Sequence, residues 1–363
     1  VSEATNQNAA RPEESKSTSD SDPTRPDSLD KNEASDGAEK REGKYWIGFD
    51  LGGTKIQCTL FDNELKQVDF KRRRTKSELG EKGLLERIAS TIERLLDDCD
   101  ISKKQLAGIG IGCPGPVEWE KGIVRVAVNL GWENVDVADF LKKRFDCDVE
   151  VLNDVDAGVY GEYVAGAAKG SRTAVGIFPG TGIGGGCVYA GEIMRGKVLT
   201  CMEIGHAKIN GSSRLGGSGM RGTLETEASR LSVASEISKL AYRGEAPYLL
   251  EHSGTDIREI RSKAISEAIE NGDKEVKRVL EEACEMIGYA VANTVLMICP
   301  DVVVLGGGLV EAMPDLFEEM VGKVARKHVF ECYRDEFKVK IAKLGDDAGT
   351  VGAASWVKRM AEK

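Results

Sequence analysis

Short apolar runs alternate along most of the chain with stretches of three-and-four hydrophobic spacing, the pattern of an α/β protein. Runs of strand length lie at 45–50, 56–61, 107–112, 149–152, 174–178, 187–189 and 302–305. Helical spacing is clear at 83–97, where Leu85, Ile88, Ile92 and Leu95 share one face. A second helix is predicted over 136–145, with Asp136 as N-cap and Asp139 in the first turn, where a carboxylate suits the helix dipole. A long polar helical stretch is predicted at 255–285, passing into a more apolar one at 286–299 that Pro300 ends.

The segments 47–62 and 175–189 share one grammar: apolar strand, Gly and Thr loop, second apolar strand, then a turn at Asp62-Asn63 or at Ala190-Gly191. Two such hairpins, one per half of the chain, predict two related domains that face each other across a ligand cleft. The first 43 residues do not share the pattern. They hold eleven acidic and six basic side chains, three prolines and no aromatic residue, a composition that cannot offset its ordering entropy by burial. They are expected to form a disordered acidic tail.

Composition narrows the function classes. The 363 residues carry a formal charge of −10, so a nucleic-acid surface built on overall basicity is excluded, and anionic partners require local sites. Nine single cysteines without a C-x-x-C pair indicate a reducing compartment. No apolar run approaches the roughly 18–20 residues that span a bilayer. No charged and then apolar start resembles a secretory signal, and the acid-rich beginning is unlike a transit peptide. A soluble cytoplasmic protein without a membrane partner is expected.

The residues that could carry chemistry cluster at strand ends. Gly52, Gly53 and Thr54 follow the first strand, and Gly180, Thr181 and Gly182 follow its counterpart. Glycine lets backbone N–H groups approach an anion, while the Thr hydroxyls add donors. Either loop alone reads equally well as a tight turn; the pair in equivalent places points to phosphate. Lys55 either adds a charge there or is an exposed strand residue. Asp50 ends the first strand and could hold Mg²⁺, directly or through water, or could serve as a turn-forming cap.

Asn153 and Asp154 end the run at 149–152, and a helix-like segment follows through 168. Asp154 would project into the cleft near the positive end of that helix, which is expected to keep it ionised and basic. Asp154 is thus the candidate general base, with a helix N-cap as the alternative. Asp156 is a weaker second candidate and reads better as a first-turn helix residue. Glu203 and His206 stand three apart, and Glu225 opens a predicted helix with Leu224, Ala228 and Leu231 on one face. Two carboxylates and an imidazole can satisfy sugar hydroxyls. Gly306, Gly307 and Gly308 follow the run at 302–305 in the shape of a nucleotide-facing strand-to-helix turn, or of close helix packing.

Taken in order, the motifs resemble the ROK family of sugar kinases and repressors, and within it the ATP-dependent glucokinases. They are DLGGTK at 50–55, GIGCPGPV at 110–117, NLGW at 129–132, LNDVD at 152–156, GTGIGGG at 180–186, EIGH at 203–206, LGGG at 305–308 and AGTVGAA at 348–354. The resemblance implies an α/β two-domain actin-like (ribonuclease-H-like) sugar kinase fold with an interdomain cleft. Its N-terminal domain would be 44–153 plus about 346–363, and its C-terminal domain 154–345. It further implies that Asp154 deprotonates a sugar 6-hydroxyl in ATP-dependent phosphorylation of a hexose, with glucose the first expectation. Asn153, Glu203, His206 and Glu225 would bind the sugar, with Asn129 as a further candidate. Both Gly loops would hold ATP phosphates with Mg²⁺, and Gly306–Gly308 would lie near adenosine. A homo-oligomer is expected, and no nucleic-acid partner. A non-enzymatic sugar-responsive regulator, another hexose and a polyphosphate donor are the alternatives.

The chain departs from the family at one point. Many members bind zinc through the His of E-x-G-H and three cysteines in C-x-C-G-x-x-G-C-x-E, whereas those cysteine positions hold Gly216, Ser218 and Thr223 here. No zinc site is expected.

Overall fold

The computed structural model describes residues 44–363 except Ser213; the expected acidic tail at 1–43 lies outside the described residues. The first half runs β1 (Tyr45–Leu51), β2 (Lys55–Phe61), β3 (Gln67–Arg74), α1 (Gly80–Asp98), β4 (Leu106–Cys113), β5 (Val117–Glu118), β6 (Ile123–Ala127), β7 (Trp132–Asp136), α2 (Val137–Phe145) and β8 (Asp148–Asn153). It continues through α3 (Asp154–Val164), β9 (Thr173–Pro179), β10 (Ile183–Tyr189), β11 (Glu192–Ile193), α4 (Leu224–Ala228), α5 (Arg230–Tyr242) and α6 (Pro247–Ser253). The remainder is α7 (Ser262–Glu270), α8 (Lys274–Ile298), β12 (Val302–Leu305), α9 (Gly308–Ala312), α10 (Pro314–Lys327), β13 (Lys338–Ile341) and α11 (Ala348–Ala361).

Two five-stranded mixed sheets repeat one plan. The first has the order β3-β2-β1-β4-β8 and the second β11-β10-β9-β12-β13. In each, an antiparallel hairpin, β1 with β2 or β9 with β10, is extended by parallel strands, β4 and β8 or β12 and β13. The internal similarity of 47–62 and 175–189 is therefore a similarity of hairpins. β1, β4 and β12 read as nearly continuous apolar runs because helices cover both faces of a parallel sheet. β5, β6 and β7 form a small separate sheet.

The core has a part for each sheet and a seam between them. One cluster joins β1, β2, β4 and β8 to α1 and α2; another joins β9, β10 and β12 to helices α4–α10. Between the sheets lie α3 and α11, sharing a third cluster that includes Leu152, Ala157, Tyr160, Ala353 and Trp356. Helix α11 packs on β1 and β4, α3 packs on β9 and β10, and the two helices pack on each other. Glycine permits this. A Cβ on Gly352 would overlap the Ala157 carbonyl, one on Gly161 the Ala348 carbonyl, and one on Gly110 the Ala353 carbonyl.

Two predicted elements are corrected. The helix expected over 255–285 is interrupted: α7 ends at Glu270, Gly272 takes φ +97°, and α8 starts at Lys274. The break is anchored by buried Asp273, whose carboxylate accepts the N–H groups of Tyr248 (3.2 Å) and Leu249 (2.9 Å) at the start of α6. The helix expected to carry Glu225 with Leu231 is two helices, because Ser229 is extended and caps α5; Leu231 is 48% exposed. Strand β3 has only the short alternation Val68 and Phe70, both exposed, to reveal it. It is an edge strand whose charged side chains suit an unpaired border.

The helix seam makes a stability prediction. Gly352→Ala is expected to cost about 2–4 kcal/mol by overpacking, whereas Gly211→Ala, at an open position, should stay within about 0.5 kcal/mol. Urea unfolding of both variants measures the difference.

Candidate active site

The first Gly loop closes the β1–β2 hairpin. Gly52 N–H donates to the Lys55 carbonyl (3.0 Å), and Thr75 fastens the loop from β3's end, its hydroxyl donating to the Gly52 carbonyl (2.6 Å) and its N–H to the Thr54 carbonyl (2.9 Å). Gly53 lies beside Asn129, whose Cβ would be 3.4 Å from a Cβ at that glycine. Lys55 is paired rather than free: its Nζ is 2.8 Å from Asp346, on the turn that leads into α11. Arg72 joins the same turn, near Asp346 (3.7 Å) and Asp347 (3.6 Å), and donates to Gln57 (2.7 Å). Asp50 sits against the first turn of α11, its Cγ 3.2 Å from where a Gly349 Cβ would be. Burial raises its pKa to about 6, with Lys55 acting to lower it and Asp346 to raise it.

β8 delivers Asn153 and Asp154 to the junction with α3. The N-cap is Asn153: its Oδ1 accepts the N–H groups of Val155 (2.9 Å) and Asp156 (3.2 Å), and its Nδ2 donates to the Gly115 carbonyl (3.1 Å). The capping role weighed for Asp154 thus belongs to its neighbour. Asp154 is the first helical residue, accepts the Val155 N–H (2.9 Å) and stands beside Gly112 at the end of β4. The helix end is expected to keep it ionised and basic; burial works against the ionised form. Burial first, then the Asp50 charge and that of Glu203, push its pKa up to about 7, against the Val155 N–H, which lowers it. Asp156 is a first-turn residue of α3, as read, but it is buried with neither carboxylate oxygen hydrogen-bonded.

The second loop is closed by Gly180 N–H donating to the Gly182 carbonyl (2.8 Å). Two side chains of the following helices reach it. Glu225, behind the N-cap Thr223, accepts the Ile183 N–H (3.0 Å), so its carboxylate leans on Gly182. Arg230 donates to the Thr181 hydroxyl (3.0 Å), and its N–H to the Gly180 carbonyl (2.9 Å). Glu203 has its pKa raised by burial; His206 opposes this shift and Glu225 adds to it, which places the three in one electrostatic group. His206 Nδ1 is buried without a partner. Gly306, Gly307 and Gly308 form the β12–α9 turn, where Gly307 takes φ +86° and passes close to the Pro179 carbonyl, next to the second loop. The segment between His206 and Thr223 is held by the bridges Lys208–Thr223 and Leu215–Arg221 and by Arg214, near Glu227 (3.5 Å) and Glu236 (3.7 Å).

Two groupings emerge: Asp50, Lys55, Gly53 and Asn129 at the first loop, and Glu203, His206, Glu225 and the second loop opposite. The charge of Asp154 is felt by way of both Asp50 and Glu203. Arg230 and Arg72 went unnoticed in the sequence, since no spacing ties either to a Gly loop. Among the described residues no group of three or more His, Cys, Asp or Glu is arranged to hold a metal ion. The Asp50 charge raises the pKa of Asp154.

Asp154 should leave a signature in stability. Its pKa is about 7 folded against an ordinary 3.8, so its contribution is present below pH 4 and lost as pH rises through 7. Asp154→Asn is therefore expected to stabilise the protein by about 1–3 kcal/mol at pH 8, with no gain near pH 4. Thermal unfolding of both proteins at the two pH values checks it.

Comparison with known proteins gives a consistent result. Residues 46–360 match the family model described as the ROK family. A glucokinase of Thermotoga maritima is 31% identical over 313 residues, 86% of this chain and 96% of that protein. A xylose repressor of Caldicellulosiruptor bescii is 30% identical over 314 residues, 86% of this chain and 77% of the repressor. Among solved structures, a ROK family glucokinase from Streptomyces griseus in complex with glucose and AMPPNP superposes with a TM-score of 0.75 at 27% identity, covering 87% of this chain and 99% of that one. The actin-like sugar kinase fold is thereby established for the described residues.

Proposed function

The chain belongs to the ROK family, and we propose that it is an ATP-dependent hexose kinase that converts glucose to glucose 6-phosphate. The observation that carries this reading is the state of Asp154: a half-buried carboxylate at the β8–α3 junction, within the electrostatic reach of Asp50 and Glu203, whose pKa, raised to about 7, matches a base working near neutrality. A carboxylate at its ordinary pKa would take a proton from a sugar hydroxyl far less readily.

In this mechanism Glu203, His206, Glu225 and Asn129 orient the hexose by its hydroxyls, with Asn153 fixed by its cap bonds and offering its remaining N–H. Asp154 accepts the proton of the 6-hydroxyl as that oxygen attacks the γ-phosphorus, and the bond from that phosphorus to the β,γ-bridging oxygen breaks. Backbone N–H groups of the two Gly loops, with Thr54, Thr181 and Arg230, bind the phosphates; Gly306–Gly308 border the nucleoside. Lys55 would exchange Asp346 for phosphate. Mg²⁺, when bound beside Asp50, would screen the phosphate charge. Lobe closure would exclude water, so that transfer outruns hydrolysis.

A second reading draws on the similarity to a xylose repressor: the chain binds a sugar and responds to it without turnover. A panel of glucose, mannose, fructose and N-acetylhexosamines, crossed with ATP and polyphosphate, separates the two. The kinase reading expects fastest turnover with glucose and ATP; sugar binding without turnover in any pairing would contradict it. The pH profile is a further expectation. For glucose, kcat/KM should rise with pH and level off through an apparent pKa near 7, because the base must be deprotonated in the free enzyme. A profile flat from pH 5 to 8 would contradict the assignment.

A further inference from the structure

The segment between β11 and Glu203 is a small hairpin joined to both halves of the fold. On its own side Met194 N–H donates to the Cys187 carbonyl of β10 (2.8 Å), Arg195 bridges Thr200, and Gly196 N–H donates to the Leu199 carbonyl (3.0 Å). On the other side Thr200 N–H donates to the Val117 carbonyl of β5 (3.2 Å), Leu199 bridges Glu118, and the Trp119 indole donates to the Gly196 carbonyl (3.1 Å). Three residues past Thr200 the chain delivers Glu203.

Arg195 lies at the base of this hairpin. Its guanidinium carbon is 5.0 Å from the ring centroid of Trp119 and 4.6 Å from that of Trp356, on α11. The Trp356 ring is itself fixed, its indole donating to Glu150 of β8 (3.2 Å). One Arg195 nitrogen, Nη2, is shut away from solvent without a hydrogen-bond partner. Asp156, 1% exposed, is likewise without one, and its Oδ1 packs against Gly186 of β10, the residue before Cys187. Arg195 is half-buried, and the acidic charges that act on it are first Glu150, whose carboxylate also holds the Trp356 indole, then Asp156 and Glu192. A planar cation between two rings resists displacement better than an ammonium, and loss of its charge would strand Asp156.

We propose that Arg195, gripped by Trp119 and Trp356 with Glu150 and Asp156 as its counter-charges, is a positioning residue that fixes the 194–201 hairpin and thereby the Glu203 carboxylate at the sugar site. This rests on the reading of Glu203 as a sugar ligand. Arg195 touches no reacting atom; it acts through the hairpin on sugar affinity and leaves the nucleotide loops alone.

The test compares Arg195→Leu, Arg195→Lys, Asp156→Asn and Glu203→Gln in full-length protein, by steady-state kinetics and by calorimetric titration with glucose. Arg195→Leu is expected to raise the glucose KM and the calorimetric Kd about 10-fold, with kcat and the ATP KM changed less than about threefold. Arg195→Lys, which keeps the charge but not the planar stack, should raise them about 2- to 5-fold and covers the case in which the leucine variant does not fold. Asp156→Asn should shift glucose affinity the same way, and tryptophan emission should change in both Arg195 variants as the rings lose the cation. The proposal is overturned if Glu203→Gln weakens glucose binding while neither Arg195 variant does, or if the glucose and ATP KM values rise together. If Glu203→Gln itself leaves glucose affinity unchanged, the sugar-ligand reading fails and this proposal fails with it.

Discussion

The close crossing of α3 and α11 is the constraint on which the rest of the structure depends. Gly161 and Gly352 bring the two helices into backbone contact, and Gly110 lets α11 lie directly on the first sheet. Small side chains at this seam contribute little apolar area. What they supply is position: α3 begins at Asp154, and the first turn of α11 lies against Asp50. A methyl group at the crossing would push α11 away from α3 and so shift the first turn of α11 that lies against Asp50. Packing density in the interior is high enough that such a displacement has no cheap relaxation.

Placing Asp50, Asp154 and Glu203 within reach of one another costs stability, and the cost is visible in their protonation. Burial with the charges of Asp50 and Glu203 moves Asp154 to about 7, and burial with the charge of Asp346 moves Asp50 to about 6. Lys55 and Arg72 are engaged by Asp346 and Asp347 at the mouth of α11, so positive charge is stored beside the first loop rather than spread over the surface. In the proposed kinase, stability given up at the base would be returned as chemistry.

Much of this was legible in the sequence where the signal is local. The two hairpins, their Gly and Thr loops, the strand-to-helix step at Asn153-Asp154 and the Asp136 cap are each set by a few adjacent residues, and each lies where it was expected. What escaped depends on distance along the chain. The state of Asp154 is set by burial and by Asp50, over a hundred residues away, which the helix dipole alone does not show. Arg230 reaches Thr181 across 49 residues, and Trp119 reaches Gly196 across 77. The break at Gly272 had a turn signal in Asn271-Gly272, overridden in the reading by the helical spacing on both sides. Strand β3 was hidden because it is an edge strand with only Val68 and Phe70 as apolar residues, both exposed.

The central claim is that the Asp154 carboxylate takes the sugar proton, and the most direct measurement pairs turnover with binding in Asp154→Asn. The account predicts that glucose phosphorylation falls by about 10²–10⁴ while calorimetric glucose affinity stays within about threefold, since the amide keeps the shape and one acceptor oxygen but cannot take the proton. Turnover near the wild-type rate would contradict it.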